Sequence, residues 1–156
     1  MDDPLRRTWN GPTGGELSFS LLQWNTLADG LAEGSFPASP PESLAWANRG
    51  PRLLEELELP EVGIPDVICL QEVDHYADHF EPHLRERGYV GLFAAKARGR
   101  DGCALFVREE RFALADHRVL RYQDEESGDL QTQLAILAEL WCARSGARVQ
   151  VATTHL

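Results

Sequence analysis

The chain is predicted to fold as an α/β domain, and three observations in its 156 residues carry that prediction. Val67-Ile68-Cys69-Leu70 is a short uninterrupted apolar run, as expected of a strand covered on both faces. Helix signals fall before this run and soon after it, whereas the stretch beyond Lys96 reads as strands joined by turns. The composition, 43% hydrophobic and 26% charged, is that of an ordinary globular domain long enough to bury a core.

The elements follow in order. Residues 1–16 form a Gly-, Pro- and Asn-containing lead that reads as flexible. Residues 17–24 alternate apolar and small polar side chains at period two and predict a first strand. Ser39-Pro40-Pro41-Glu42 has the form of a capping box with proline at the first helical position. Gly50-Pro51 should break the helix that starts there, with Asn48 capping a second start and Leu53, Leu54 and Leu57 sharing one face. After the strand at 67–70, Asp74 is placed to cap a helix in which Tyr76, Phe80 and Leu84 recur at four-residue spacing up to Gly88. Further strands are predicted at 89–94, 102–107, 118–122, 130–143 and 148–154, with Arg144-Ser145-Gly146-Ala147 as a hairpin turn. The expected product is a mixed sheet with helices on one face and an apolar second face that needs a partner.

Composition narrows the function. No apolar stretch approaches the roughly 20 residues needed to cross a bilayer, and the opening residues lack the apolar run of a signal peptide. Asp2, Asp3 and Glu16 also differ from a mitochondrial transit peptide. A cytoplasmic protein without a membrane role is the expectation, with a nuclear or mitochondrial pool left open. Cys69, Cys103 and Cys142 lack the spacing of disulfide or zinc sets and read as core thiols. A formal charge of −10 disfavours non-specific gripping of duplex nucleic acid, although a divalent cation can supply positive charge locally in an acidic pocket.

Two strand ends carry the chemistry. Gln23-Trp24-Asn25-Thr26-Leu27 closes the first strand, and Cys69-Leu70-Gln71-Glu72-Val73-Asp74-His75-Tyr76 puts a carboxylate directly after four buried residues. Asn25 can be a loop cap or a ligand. Glu72 can be a structural acid rescued by an arginine or a metal ligand, and together the two residues offer the hard oxygen donors that suit Mg²⁺. His75, His79 and His83 would align on one helical face, where neighbouring Asp78 and Glu81 suggest a solvated surface rather than zinc.

These clusters, with Gly88-Tyr89, Asp101-Gly102-Cys103-Ala104-Leu105-Phe106 and Thr154-His155-Leu156, resemble the endonuclease/exonuclease/phosphatase superfamily. Within it they are similar to the nocturnin group and the related carbon-catabolite-repressor type deadenylases. The resemblance runs over residues 17–156 and implies the N-terminal part of a four-layer α/β/β/α sandwich (DNase I-like) that hydrolyses a phosphoester with Mg²⁺, or possible Mn²⁺. It implies Glu72 as the metal-binding carboxylate, Asn25 beside it, His155 as a donor to phosphate, and Lys96 and Asp101 in substrate binding. Taken alone, His155 could equally be a solvent-exposed terminal residue and Lys96 a solvated loop charge.

The implied substrate is an adenine nucleotide, NADP(H) losing its 2′-phosphate, or alternatively single-stranded poly(A) RNA trimmed from its 3′ end. The 156 residues hold neither the family's Asp-x-Asn nor its Ser-Asp-His motif. The chain is therefore expected to be truncated and inactive alone, the rival reading being a non-catalytic remnant that binds nucleotide or protein. Truncation predicts an uncovered sheet face at Leu134, Ile136, Ala138 and Leu140, open to self-association.

Overall fold

The computed structural model describes residues 17–32, 35–58, 63–124, 127–128 and 130–155. The lead at 1–16 lies outside them. The order is β1 (Leu21–Asn25), α1 (Asp29–Ala32), α2 (Pro41–Leu44), α3 (Trp46–Leu57), β2 (Val67–Val73), a π-helical turn (Tyr76–Phe80) running into α4 (Glu81–Arg85), then β3 (Tyr89–Ala95), β4 (Gly102–Arg108), β5 (Phe112–Gln123), β6 (Leu130–Cys142) and β7 (Arg148–Thr154).

The strands form two sheets rather than one. The first has the order β1-β2-β4-β3, with β1 and β2 parallel and the other pairs antiparallel. The second is the antiparallel meander β5-β6-β7. Alternation along β2 and β4 decides how the layers meet. Ile68, Leu70, Ala104 and Phe106 point to the helices and pack with Leu53, Leu57, Phe80 and Leu84. Val67, Cys69, Cys103, Leu105 and Val107 point the other way, against Phe112, Leu134, Ile136, Ala138 and Leu140.

That second interface corrects the expectation of an uncovered face. Leu134, Ile136, Ala138 and Leu140 keep 2% exposure or less, because their partner sheet comes from this same chain. Self-association through that face has no surface to use. The described residues thus form three layers, helices on one sheet and that sheet on a second.

The helices differ from the sequence reading in instructive ways. The break falls at Ala45, and α3 runs unbroken through Gly50-Pro51. Beside Pro51, Gly50 is buried directly under Trp46, where a Cβ would come within 3.0 Å of the indole, and its carbonyl accepts from His79 Nε2 (2.9 Å). Ser39 and Asn48 do not cap. Pro40 and Ala45 occupy the cap positions without side-chain bonds, and Asn48 Nδ2 instead donates to Glu42 O (2.8 Å). Asp74 does not cap the helix that follows it. Gly88 does adopt the left-handed conformation (φ +77°) after α4.

The three histidines each meet a different partner, which removes the shared-metal option. His75 stacks on Trp46 at 3.9 Å and pairs with Asp78, His79 reaches Gly50 O, and His83 pairs with Glu58. Burial acts to raise the Glu58 carboxyl, but Arg87 and His83 beside it outweigh that and hold it below its ordinary value. Cys69, Cys103 and Cys142 are free and buried, as expected of core thiols. Among the described residues, no helix is long and apolar enough to cross a membrane.

If the second sheet supplies half of the inter-sheet core, Leu140→Ala should cost about 2–5 kcal/mol of unfolding free energy, read from a urea titration. Leu120→Ala on the half-exposed outer face should stay within roughly 0.5 kcal/mol of the parent.

Candidate active site

The site begins with a conflict inside β2. Strict alternation would turn residue 72 inward to the helix-side core, where a carboxylate would be buried without a counter-ion. A bulge resolves it. Leu70 pairs with Ala104 but Val73 pairs with Gly102, so β2 carries one residue more than β4 over this span. Val73 takes the core position, fully buried with Leu70, and Glu72 is the inserted residue. Its φ of +54° is left-handed, a conformation that costs a non-glycine residue of order 1–3 kcal/mol and persists only where surrounding contacts enforce it.

Those contacts come from the loop after β1, which lies beside β2 in parallel register with Asn25 opposite Gln71. Asn25 Nδ2 donates to Glu72 Oε1 (2.7 Å), and the Ala28 amide donates to Oε2 (3.3 Å). Thr26 fastens the backbone, its amide donating to Gln71 O (2.9 Å) and its hydroxyl to Gln71 O and Glu72 O. His155 closes the third side with Nε2 at 3.5 Å from Glu72 Oε1. The structure therefore brings Asn25, Glu72 and His155 together from the ends of β1, β2 and β7.

The arrival of β7 is set by buried polar contacts. Gln23 Nε2 donates to Gln71 Oε1 (2.5 Å), and Gln71 Nε2 donates to Thr153 Oγ1 (2.9 Å), joining the two sheets just below the site. The Cys69 thiol is pushed up to about 11 by burial, which a hydrogen bond with Thr153 only partly offsets. Burial also raises the Cys103 thiol, which lies within reach of the His155 backbone and of the Lys96 and Asp101 charges.

Lys96 and Asp101 form a pair of their own. Lys96 Nζ stands 2.6 Å from Asp101 Oδ2, with only 15% and 9% of the two side chains exposed, and the Lys96 amide donates to Asp101 O (3.0 Å). This corrects the option of a solvated loop lysine. Asp101 Oδ2 is buried and makes no aligned hydrogen bond, and among the described residues the Lys96 ammonium is what compensates its charge. Gly102 follows because β3 and β4 approach too closely for any side chain. A Cβ there would lie 2.1 Å from Ala94 O.

Glu72 has no arginine or lysine partner among the described residues, which disfavours a purely structural ion pair. Nor do three His, Cys, Asp or Glu side chains converge on one point among them. That donor set does not fit a zinc cage. It does fit Mg²⁺, which is held through one or two carboxylates while keeping much of its water. Glu72 would hold the ion and Asn25 would stand beside it.

Sequence reasoning missed Arg49, Gln71 and Thr153. Arg49 sits on α3, far in sequence from the site, yet Nη1 donates to Thr26 O (2.8 Å) and Leu27 O (2.6 Å). No local pattern marks it.

Two packed sheets with helices outside one of them, and a carboxylate and an amide delivered from adjacent strand ends, define a sandwich of the nuclease and phosphatase class. The chain belongs to the Endonuclease/Exonuclease/phosphatase family, whose pattern matches residues 22–144. It is similar to nocturnin of Xenopus laevis, 40% identical over 152 residues that cover 89% of this chain and 38% of that protein. It is also similar to the CCR4-Not complex 3′-5′-exoribonuclease subunit Ccr4 of Mycosarcoma maydis, 29% identical over 88% of this chain and 24% of the relative. Among solved structures, the 2′,3′-cyclic phosphatase ANGEL2 in complex with adenosine-2′,3′-vanadate superposes with a TM-score of 0.80 at 27% identity, over 88% of this chain and 41% of that one. The chain spans well under half the length of these relatives.

Because Lys96 and Asp101 compensate each other out of water, Lys96→Ala should lower the thermal midpoint and cost about 3–5 kcal/mol, the range for breaking one side of a buried pair. The double replacement Lys96→Ala with Asp101→Ala should recover part of that loss in the same melting experiment.

Proposed function

We propose that the protein is a metal-dependent phosphoester hydrolase acting on an adenine nucleotide, with Glu72 as its metal carboxylate. The observation that carries this reading is the state of Glu72. It is 12% exposed, oriented by an amide side chain and a backbone N–H, and without a lysine or arginine to neutralise it among the described residues. An acid maintained in that way, in a strained conformation at the mouth of a sheet, suits a bound cation better than it suits stability.

Magnesium, or manganese in its place, would supply Lewis-acid polarisation of the phosphoryl group when bound. The chain's own residues do the rest of the positioning. Asn25 holds one carboxylate oxygen in place through Nδ2, while its Oδ1 accepts from the Leu27 amide (2.9 Å) and fixes the side chain's orientation. His155 presents Nε2 beside the same oxygen and is placed to donate to a phosphate. Lys96 could turn from Asp101 to a substrate phosphate. The water-activating carboxylate and the closing histidine would come from Asp-x-Asn and Ser-Asp-His motifs outside these 156 residues, so activity is proposed for a longer protein.

Two relatives support this substrate class. One is a 2′,3′-cyclic phosphatase seen with an adenosine vanadate, and another is a 3′-5′-exoribonuclease. Both act on a phosphoester of a nucleotide. Within that class we favour NADP(H), whose 2′-phosphate the resemblance to nocturnin suggests, over the poly(A) 3′ end. The net charge of −10 supports the small substrate because a long polyanion requires a more basic surface. A cytoplasmic location accords with this reading.

Phosphate release from NADP(H) and AMP release from oligo(A), measured with full-length protein across a Mg²⁺ titration, separate these substrates. Glu72→Gln should lower turnover by more than the roughly 10–100-fold that outer-shell changes cost, with the far-UV spectrum unchanged. Wild-type turnover in that variant would remove Glu72 from the role. Inactivity of the wild-type protein on both substrates would favour the non-catalytic remnant.

A further inference from the structure

We infer that Arg49 is a positioning residue for the Glu72 site, acting through the loop of residues 26–30. The inference rests on the functional reading above for its catalytic consequence, but not for its structural one.

Every amide from 26 to 30 has an assigned acceptor. Thr26 donates to Gln71 O, Leu27 to Asn25 Oδ1, Ala28 to Glu72 Oε2, and Asp29 and Gly30 both to Asp74 Oδ2 (2.6 and 3.4 Å). The acceptors on this side are thus the site itself and the acid two residues beyond it. Asp74, which the sequence suggested as a cap for the following helix, caps α1 instead. On the opposite side, the carbonyls of Thr26 and Leu27 converge on the single Nη1 of Arg49.

That convergence requires an unusual backbone. Leu27 has φ +56°, left-handed like Glu72. A left-handed leucine does not hold itself, because its Cβ crowds the following carbonyl. Arg49 supplies the restraint. Its guanidinium lies 5.3 Å from the centre of the Trp46 ring, Nε donates to Leu44 O (3.4 Å), and only 12% of the side chain is exposed. Its Nη2 is buried without a hydrogen bond and faces Asp29 Oδ1 at 3.7 Å. Among the described residues Arg49 is therefore committed to the loop and to α2 and α3, and makes no hydrogen bond or ion pair with Glu72. Withdrawn, it leaves two carbonyls without a donor and frees Leu27 to relax, which swings the Ala28 amide and the Asn25 side chain away from the carboxylate. A lysine keeps the charge but loses the planar fork and the bond to Leu44, so it should restore the function only in part.

Arg49→Ala, Arg49→Lys and a control, Leu53→Ala, separate this role from a merely structural one. Leu53 is buried on the same helix, in a core cluster that includes no residue of the loop, so its truncation lowers stability by itself. Native-state hydrogen exchange on the 156-residue chain is read at amides 27–30. In full-length protein, the Mg²⁺ concentration at half-maximal turnover is read with kcat and KM. Arg49→Ala is expected to lose protection at 27–30 while β2 and β4 keep theirs, and to raise the half-saturating Mg²⁺ by about 10–100-fold with KM within twofold of wild type. Arg49→Lys should fall between, and Leu53→Ala should lower the melting temperature without either change. Retained protection at 27–30 in Arg49→Ala overturns the inference. So does a wild-type Mg²⁺ requirement with a lowered melting temperature alone. Absence of metal-dependent turnover in the wild type would instead overturn the proposed function, and the exchange measurement would still decide what Arg49 does.

Discussion

β2 runs between two neighbouring strands, with helices on one face and a second sheet on the other, so that Val67, Ile68, Cys69 and Leu70 each keep 2% exposure or less. A strand so enclosed has no face on which a charged side chain can be placed at low cost. The chain meets that constraint by inserting one residue. The bulge sends Val73 to the core and Glu72 out past the strand end, and the site is assembled around the displaced carboxylate. The left-handed backbone at Glu72 and the bracing it draws from the loop after β1 follow from this one displacement, while the Gln71–Thr153 bond brings β7 and His155 alongside.

The strands were legible from sequence because burial on both faces leaves an uninterrupted apolar run and burial on one face leaves alternation. Asn25 and Glu72 were legible for a related reason. A polar residue that ends such a run is conspicuous, and the surrounding motifs resembled a known family. The division into two sheets was not. Residues 130–143 alternate in the same way whether their inner face meets a second sheet of the chain or nothing at all, and Leu134 and Ile136 look identical in the two cases. Periodicity reports which face is apolar and not what covers it.

Other misses share a different cause. Gly50-Pro51 reads as a helix break because local propensity disfavours proline there, yet α3 runs on through it, with Gly50 packed under Trp46 and bonded to His79 by its carbonyl. Asp74 was assigned to the helix that follows it, but its carboxylate caps α1, whose amides are 44 and 45 residues earlier in the chain. Arg49 gave no sequence signal because its acceptors are backbone carbonyls, which no side-chain pattern records. Contacts between a side chain and a distant backbone are the class of interaction that residue types and spacing do not encode.

Among the described residues the inter-sheet core is filled from both sheets, and β7 is the last strand of the second one. A domain arranged in this way need not await its last residues to begin condensing. Residues 17–155 already hold both walls of an apolar interior, and synthesis at about 5–20 residues per second gives a chain seconds in which such a core can begin to collapse while it is still being made. Among the described residues β1 and β7 each end a sheet, and the outer edge of such a strand offers backbone groups that can fix the register of any strand laid against it.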